Sequence, residues 1–176
     1  MKTFLKNLFL RLQLKKSLKE LAKREIEHQT RIKTVAILTD TNTIIDTQFI
    51  KEIASQLNIS PTKVNVMAPA KIAEIENPKQ TQMLFYDKKE LSWSAQLSEQ
   101  QERFCNTSFD ILINYFNLPE RLLCVLSARS KANFRVGFNG PDPQFNDLIF
   151  DFKPTEKKLF LSEFPKYIRT IFKTDS

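Results

Sequence analysis

Short apolar runs rich in β-branched residues alternate along this chain with stretches whose apolar positions recur at helical spacing. That alternation limits the fold more than any other feature. Thr34-Val35-Ala36-Ile37-Leu38-Thr39 has the profile of a buried strand. Asp40-Thr41-Asn42-Thr43 follows, a cluster of helix N-cap types. Ile45, Phe49, Ile53 and Leu57 then recur near helical spacing, with Ile44 and Ile50 widening the stripe, until Asn58 and Pro61 end it. Residues 63–67 and 82–86 read as two further strands, with Pro69 and Pro78 bracketing the stretch between them. Residues 94–105 read as a polar helix.

The second half repeats the scheme. Phe109 to Tyr115 is a predicted strand, and Leu118 to Ala132 a helix with Pro119 in its first turn. Phe134 to Phe138 is a fifth strand, Asn139 to Pro143 a loop, and Asp147 to Phe152 a sixth strand. Phe160 to Lys173 closes the chain as a helix, with Pro165 expected in its first turn. Such a succession predicts an α/β fold: a single Rossmann-like domain over 32–176 with a mostly parallel sheet of about five or six strands. A long basic helix within 1–31 precedes it, joined by a linker near residues 28–33.

Composition narrows the chemistry. At 176 residues, 41% hydrophobic, with fifteen Phe, the chain has material for one well-packed core. It has only two glycines, Gly137 and Gly140. No G-x-G-x-x-G dinucleotide loop, Walker A loop or G-x-S-x-G elbow can therefore be present. One His (His28) and two Cys (Cys105, Cys124) leave no zinc finger, histidine cage or disulfide framework. Neither a metal nor a cofactor is expected. Cys105 and Cys124 read as reduced structural thiols of a cytoplasmic protein, and Trp93 as a core anchor or a surface contact.

The charge is segregated. The formal net charge is +7, and residues 1–33 carry all of that excess, with ten basic and three acidic residues. The rest is formally neutral. Residues 3–29 lack Gly and Pro and are rich in good helix formers. Phe4, Leu5, Leu8, Phe9 and Leu12 form one apolar stripe, and Leu10, Leu14, Leu18 and Leu21 a second on the far side. Lys15, Lys16, Lys19 and Lys23 continue the line of the first. Two stripes suggest two partners, or a bend near residue 12.

A basic arm of this kind points to a polyanion. RNA or the ribosome is the leading reading, with Lys15, Lys16, Lys19, Lys23, Arg24 and Arg31 on phosphates. An anionic membrane surface is the alternative, with Phe4, Leu5, Leu8 and Phe9 inserted and the lysines on headgroups. A protein partner for Leu10, Leu14, Leu18 and Leu21 is a further reading. An import presequence fits less well, since Lys outnumbers Arg and Ser is scarce. No run approaches the ~20 apolar residues of a spanning helix. A cytoplasmic location follows, or a peripheral one at the membrane.

Open α/β sheets bind ligands beyond the carboxyl ends of their strands, where the strand order switches. That rule nominates Asp40, Thr41 and Asn42, then Asn114 and Asn117, then Asn139 and Asp142. Each has a plainer reading: helix caps for Asp40, Thr41 and Thr43, a strand-end polar group for Asn114, and turn chemistry for Asn139-Gly140-Pro141-Asp142. Arg129 and Lys131 sit at a helix end, where cations favour the dipole. Asp147 and Asp151, four apart on an expected strand, share a face without making a hydrolase.

The runs FDILINYF, LPERLLCVLSARSKANFRVGF and NDLIFDF resemble an uncharacterised bacterial family of unknown function, over most of residues 34–172. The resemblance implies architecture and no activity. Residues 130–138 are also similar to a segment of lipopolysaccharide heptosyltransferases, which use two Rossmann-like domains. This chain has room for one, so that similarity implies a degenerate transferase-like half. Together these observations favour a non-catalytic binding protein. A small transferase with a site near Asp40 and Asn114 ranks below it.

Overall fold

The computed structural model describes residues 2–26, 31–43, 45–70, 82–87, 94–140 and 143–172. His28, Ile44, Pro78, Trp93, Pro141 and Asp142 lie outside the described residues, as do residues 28–30 of the expected linker. Six strands form one parallel sheet: β1 (Val35–Thr39), β2 (Val64–Pro69), β3 (Gln82–Tyr86), β4 (Ser108–Tyr115), β5 (Lys131–Phe138) and β6 (Leu148–Phe150). Their order is β3-β2-β1-β4-β5-β6. This is the doubly wound Rossmann order, with its switch between β1 and β4. Register across the switch pairs Leu38 with Asn114 and Thr39 with Tyr115.

Side chains alternate across the sheet and build a core on each face. Val35 and Ile37 of β1, Ile111, Ile113 and Tyr115 of β4, and Phe134, Val136 and Phe138 of β5 face helices α2 (Thr47–Gln56) and α5 (Lys157–Phe172). The phenylalanines concentrate there. Phe138 meets Phe150, Phe152 and Phe160, and Tyr115 packs edge-on against Phe138 and Phe160. Ala36, Leu38 and Leu112 face the other way, toward α3 (Glu99–Asn106) and α4 (Arg121–Arg129).

The amino-terminal helix α1 (Lys2–Leu21) completes this second layer. It runs alongside α4 in the same direction. Leu10 and Leu21 are buried, Phe9 and Leu14 join the core beneath, and Leu14 and Leu18 pack on Cys124, Ala128 and Phe145. The Leu10, Leu14, Leu18 and Leu21 stripe is thus covered by the chain's own body, not left for a protein partner. The helix is unbroken at residue 12, so the two stripes reflect two faces of one helix. It also stops short of the expected 29. Lys23 and Arg24 close its end with turns onto Glu20 and Leu21, and Arg24 reaches back to the body.

Several boundaries differ from expectation for local reasons. α2 starts at Thr47 because Asp46, whose Oδ1 accepts the Phe49 amide at 2.7 Å, is its cap. Ser98 begins α3 with a reciprocal capping box to Gln101. α4 ends at Arg129 because residues 131 and 132 already pair with β4. α5 begins at Lys157, which places Pro165 inside the helix rather than in its first turn. That proline removes the amide that would bond the Leu161 carbonyl. Gln56 Nε2 on α2 takes the vacated carbonyl at 2.8 Å.

Candidate functional site

The switch point is filled by the chain itself. Asp40 is buried, and its Oδ1 accepts from the Asn42 amide and lies near the Thr43 hydroxyl, both at 2.8 Å. The Thr43 hydroxyl also lies 2.7 Å from the Tyr115 carbonyl, so its one proton ties the β1 loop either to itself or to β4. Thr39 Oγ1 sits 2.9 Å from Thr43 Oγ1 and also reaches the Thr43 carbonyl. The Tyr86 hydroxyl donates to the Thr39 carbonyl at 3.1 Å from the opposite side. Burial first, then the charges of Glu120 and Asp40, push that phenol well above its ordinary range.

Thr41 and Asn42 are exposed on this loop, so the nominated cleft residues point in different directions. Asn114 is buried and donates to Asn146 Oδ1 at 2.7 Å. Its own Oδ1 has no partner among the described residues. Asn146 fits because Gly137 leaves it room: a Cβ there would meet the Asn146 amide at 2.4 Å. Gly140, at φ +136°, lies against the Asn117 carbonyl, which a Cβ would approach to 2.3 Å. Both glycines therefore serve close packing at the end of β5. Asn139 is exposed and donates to Asp151 at 3.0 Å.

The helix amino termini at the switch hold carboxylates. A dinucleotide's pyrophosphate sits on the free amides at the start of the helix after β1. Here Asp46 occupies that place, with Lys157 Nζ 3.7 Å from its Oδ2. Glu120 stands at the start of α4. Negative charge at both positions opposes a phosphate seated on the free amides of these two helix ends.

At the other end of the strands, beside the starts of β4 and β5, lies a cleft of about 420 Å³ with Arg24, Arg129, Lys131 and Arg135 in its lining. Its three guanidiniums are already engaged. Arg24 Nη2 lies 2.6 and 2.5 Å from the two Asp147 oxygens and Nη1 bonds the Asn133 carbonyl. Arg129 pairs with Glu102 at 2.8 Å. Arg135 is buried, donates to the Ala132 and Ser130 carbonyls at 2.9 and 2.6 Å, and is pushed down to about 10 by burial, with Arg24 adding to the shift. These guanidiniums sit at the carboxyl ends of α1 and α4, where cations offset the helix dipole. The cleft is built to close helix ends. Asp147 holds the Arg24 of this lining, whereas Asp151 accepts from Asn139.

The remaining candidate is the outward face of α1. Arg11, Lys15, Lys16, Lys19 and Lys23 are all exposed there. Lys23 makes a loose pair with Glu20 at 3.6 Å. Phe4, Leu8 and Leu12 lie on the same face, 71%, 41% and 56% exposed, and run directly into the lysines. Of the earlier membrane-inserting set, Phe9 instead packs inward. Arg24 leaves the cationic set for Asp147, and Arg31 is exposed beyond the helix. A groove of about 260 Å³ lies beside the amino-terminal half of α1, lined by Phe4, Asn7, Leu8, Arg11 and Arg121. Arg121 escaped the sequence reading because nothing in sequence joins the first turn of α4 to α1. The Phe4-Leu8-Leu12 spacing was visible; that it faces outward was not.

A family model described as a family of unknown function, DUF6913, matches residues 6–171. No curated protein and no solved structure matches the chain. The likeness of residues 130–138 to heptosyltransferases finds no support in these comparisons, and in the fold that segment is Ser130, the residue that ends α4, followed by β5. Among the described residues no helix is long and apolar enough to cross a membrane, and no group of three His, Cys, Asp or Glu could hold a metal ion.

Proposed function

We propose, for a chain that belongs to the DUF6913 family of unknown function, a non-catalytic binding role in which the outward face of α1 docks on an anionic membrane surface. The observation that carries this reading is the continuity of Phe4, Leu8 and Leu12 with Arg11, Lys15, Lys16, Lys19 and Lys23 on one exposed helix face. Leucines on a helix docked to its own domain normally turn inward. Here the inward face is already complete without these three. An interfacial helix needs this composition: apolar side chains for the acyl boundary and lysines for the headgroups. Each lysine near an anionic leaflet contributes roughly 1 kcal/mol of attraction. The filled switch point and the carboxylates at α2 and α4 support a scaffold role for the sheet, against a degenerate transferase.

RNA, including ribosomal RNA, is the second reading, favoured by the four lysines in succession past residue 14. Phosphate contacts explain the lysines and leave Leu8 and Leu12 without a role. Flotation with vesicles of phosphatidylcholine plus phosphatidylglycerol separates the two. Membrane docking predicts that Phe4→Ser/Leu12→Ser reduces flotation and that part of the binding survives high salt. RNA docking predicts retention on an RNA homopolymer, lost steeply with salt, and no flotation.

A further inference from the structure

Resting on the membrane reading above, we infer that the groove between α1 and the first turn of α4 is a headgroup subsite, which takes the phosphodiester of an anionic glycerophospholipid. The groove joins two chemistries that this ligand alone requires side by side. Phe4 and Leu8 form its apolar wall, and both also belong to the exposed ridge of α1. Arg11 and Arg121 supply two guanidiniums from different helices, with the Asn7 amide between Phe4 and Leu8 on the same helix. No carboxylate lines it.

The two guanidiniums are available. Arg24, Arg129 and Arg135 each hold a carboxylate or backbone carbonyls. Arg11 and Arg121 have no hydrogen-bond or ion-pair partner among the described residues. Arg121 opens α4 next to Glu120 at its cap, and Arg11 lies at the middle of α1, so the pull on an anion comes from the two guanidiniums themselves. A guanidinium binds phosphate through two parallel N–H···O bonds, which an ammonium cannot copy. At about 260 Å³ the groove is smaller than the roughly 300–1,000 Å³ of sites that enclose whole small molecules. It fits a headgroup whose acyl chains stay outside, along Phe4 and Leu8. Lys15 to Lys23 then attract any anionic surface, while Arg11 and Arg121 select phosphate.

The test compares two vesicle types of equal negative charge in a background of neutral digalactosyldiacylglycerol, which carries no phosphate, one containing phosphatidylglycerol and one containing oleate, which carries none either. The full chain is expected to float with the first about five-fold more tightly, the worth of one charge-assisted contact of about 1 kcal/mol. Arg11→Lys/Arg121→Lys, which keeps the charge, is expected to float equally with both. If that variant keeps the wild-type preference, or if the wild type shows none, the subsite is wrong while the membrane reading stands. If the wild type floats with neither vesicle, both fail, and retention on an RNA homopolymer would transfer the face to RNA. Unchanged thermal melting of the variant separates loss of the subsite from loss of fold.

Discussion

Cys105 is buried on α3, with its thiol 3.8 Å from the Leu126 carbonyl, and burial pushes it up to about 12. Its folded value lies above its ordinary 9.0, so the stability it contributes is whole below pH 9 and is lost as pH rises from there toward 12. Tyr86 and Tyr115 are pushed upward too, chiefly by burial, and act in the same sense above pH 10. Arg135 works the other way: its folded value lies below the unfolded one, so loss of its proton above pH 10 relieves a buried charge. Three groups outweigh one. Denaturant titrations are expected to show constant stability between pH 7 and 8.5 and a fall above pH 9. At pH 10.5 Cys105 accounts for about 2 kcal/mol of that fall, a portion that Cys105→Ala removes. A flat profile to pH 11 would mean these groups are solvated. Residue types at these sites were legible in the sequence, but their partners were not. Asp40 looked like a cap and instead closes its own turn against Thr43, because the true cap, Asp46, lies six residues on. Arg135 gave no signal at all, since a cation at a strand centre reads as an error until the end of α4 is placed beside it.

Helix α5 carries an interior proline whose cost is met by a neighbouring element. Gln56 on α2 donates to the Leu161 carbonyl that Pro165 leaves open. Gln56→Ala is expected to lower stability by about 1 kcal/mol. In a Pro165→Ala background, where residue 165 regains its amide, the same change should cost clearly less, and a double-mutant cycle reads the difference. Equal costs in both backgrounds would show that Gln56 acts elsewhere. α1 supplies the second case. Leu10, 5% exposed, extends the core under α3 and α4, so Leu10→Ala is expected to cost about 2–5 kcal/mol. An arm that only tethers would tolerate the change, and equilibrium denaturation distinguishes the two. The strands were legible because each is a short apolar run between turn residues. The helix ends were less so, because caps and a proline depend on what the neighbouring layer offers. The two stripes of α1 were legible as stripes. Which one meets the body was decided by Cys124, Ala128 and Phe145, a surface the sequence of α1 cannot reveal.

At the scale of the molecule, a doubly wound sheet normally invites a nucleotide at its switch, and the groups at this one oppose a phosphate on its helix ends. Thr43 bridges toward β4, and Asp46 and Glu120 stand where a phosphate would be held. Millimolar NAD, ATP or a nucleotide sugar is accordingly expected to leave the melting temperature unchanged, whereas a ligand at one hundred times its Kd would stabilise by about 2.7 kcal/mol. A shift of several degrees would return the switch point to consideration as a site. What the fold presents outward instead is α1. Because that helix is part of the core, its role is best tested by surface substitutions and not by deletion. The most direct measurement is flotation of the full chain with phosphatidylglycerol-containing vesicles, comparing the wild type with Lys15→Gln/Lys16→Gln/Lys19→Gln/Lys23→Gln. The account predicts that the wild type floats at low salt and that the variant, with unchanged melting, stays at the bottom of the gradient. A wild type that stays at the bottom, or a variant that floats equally well, would contradict it.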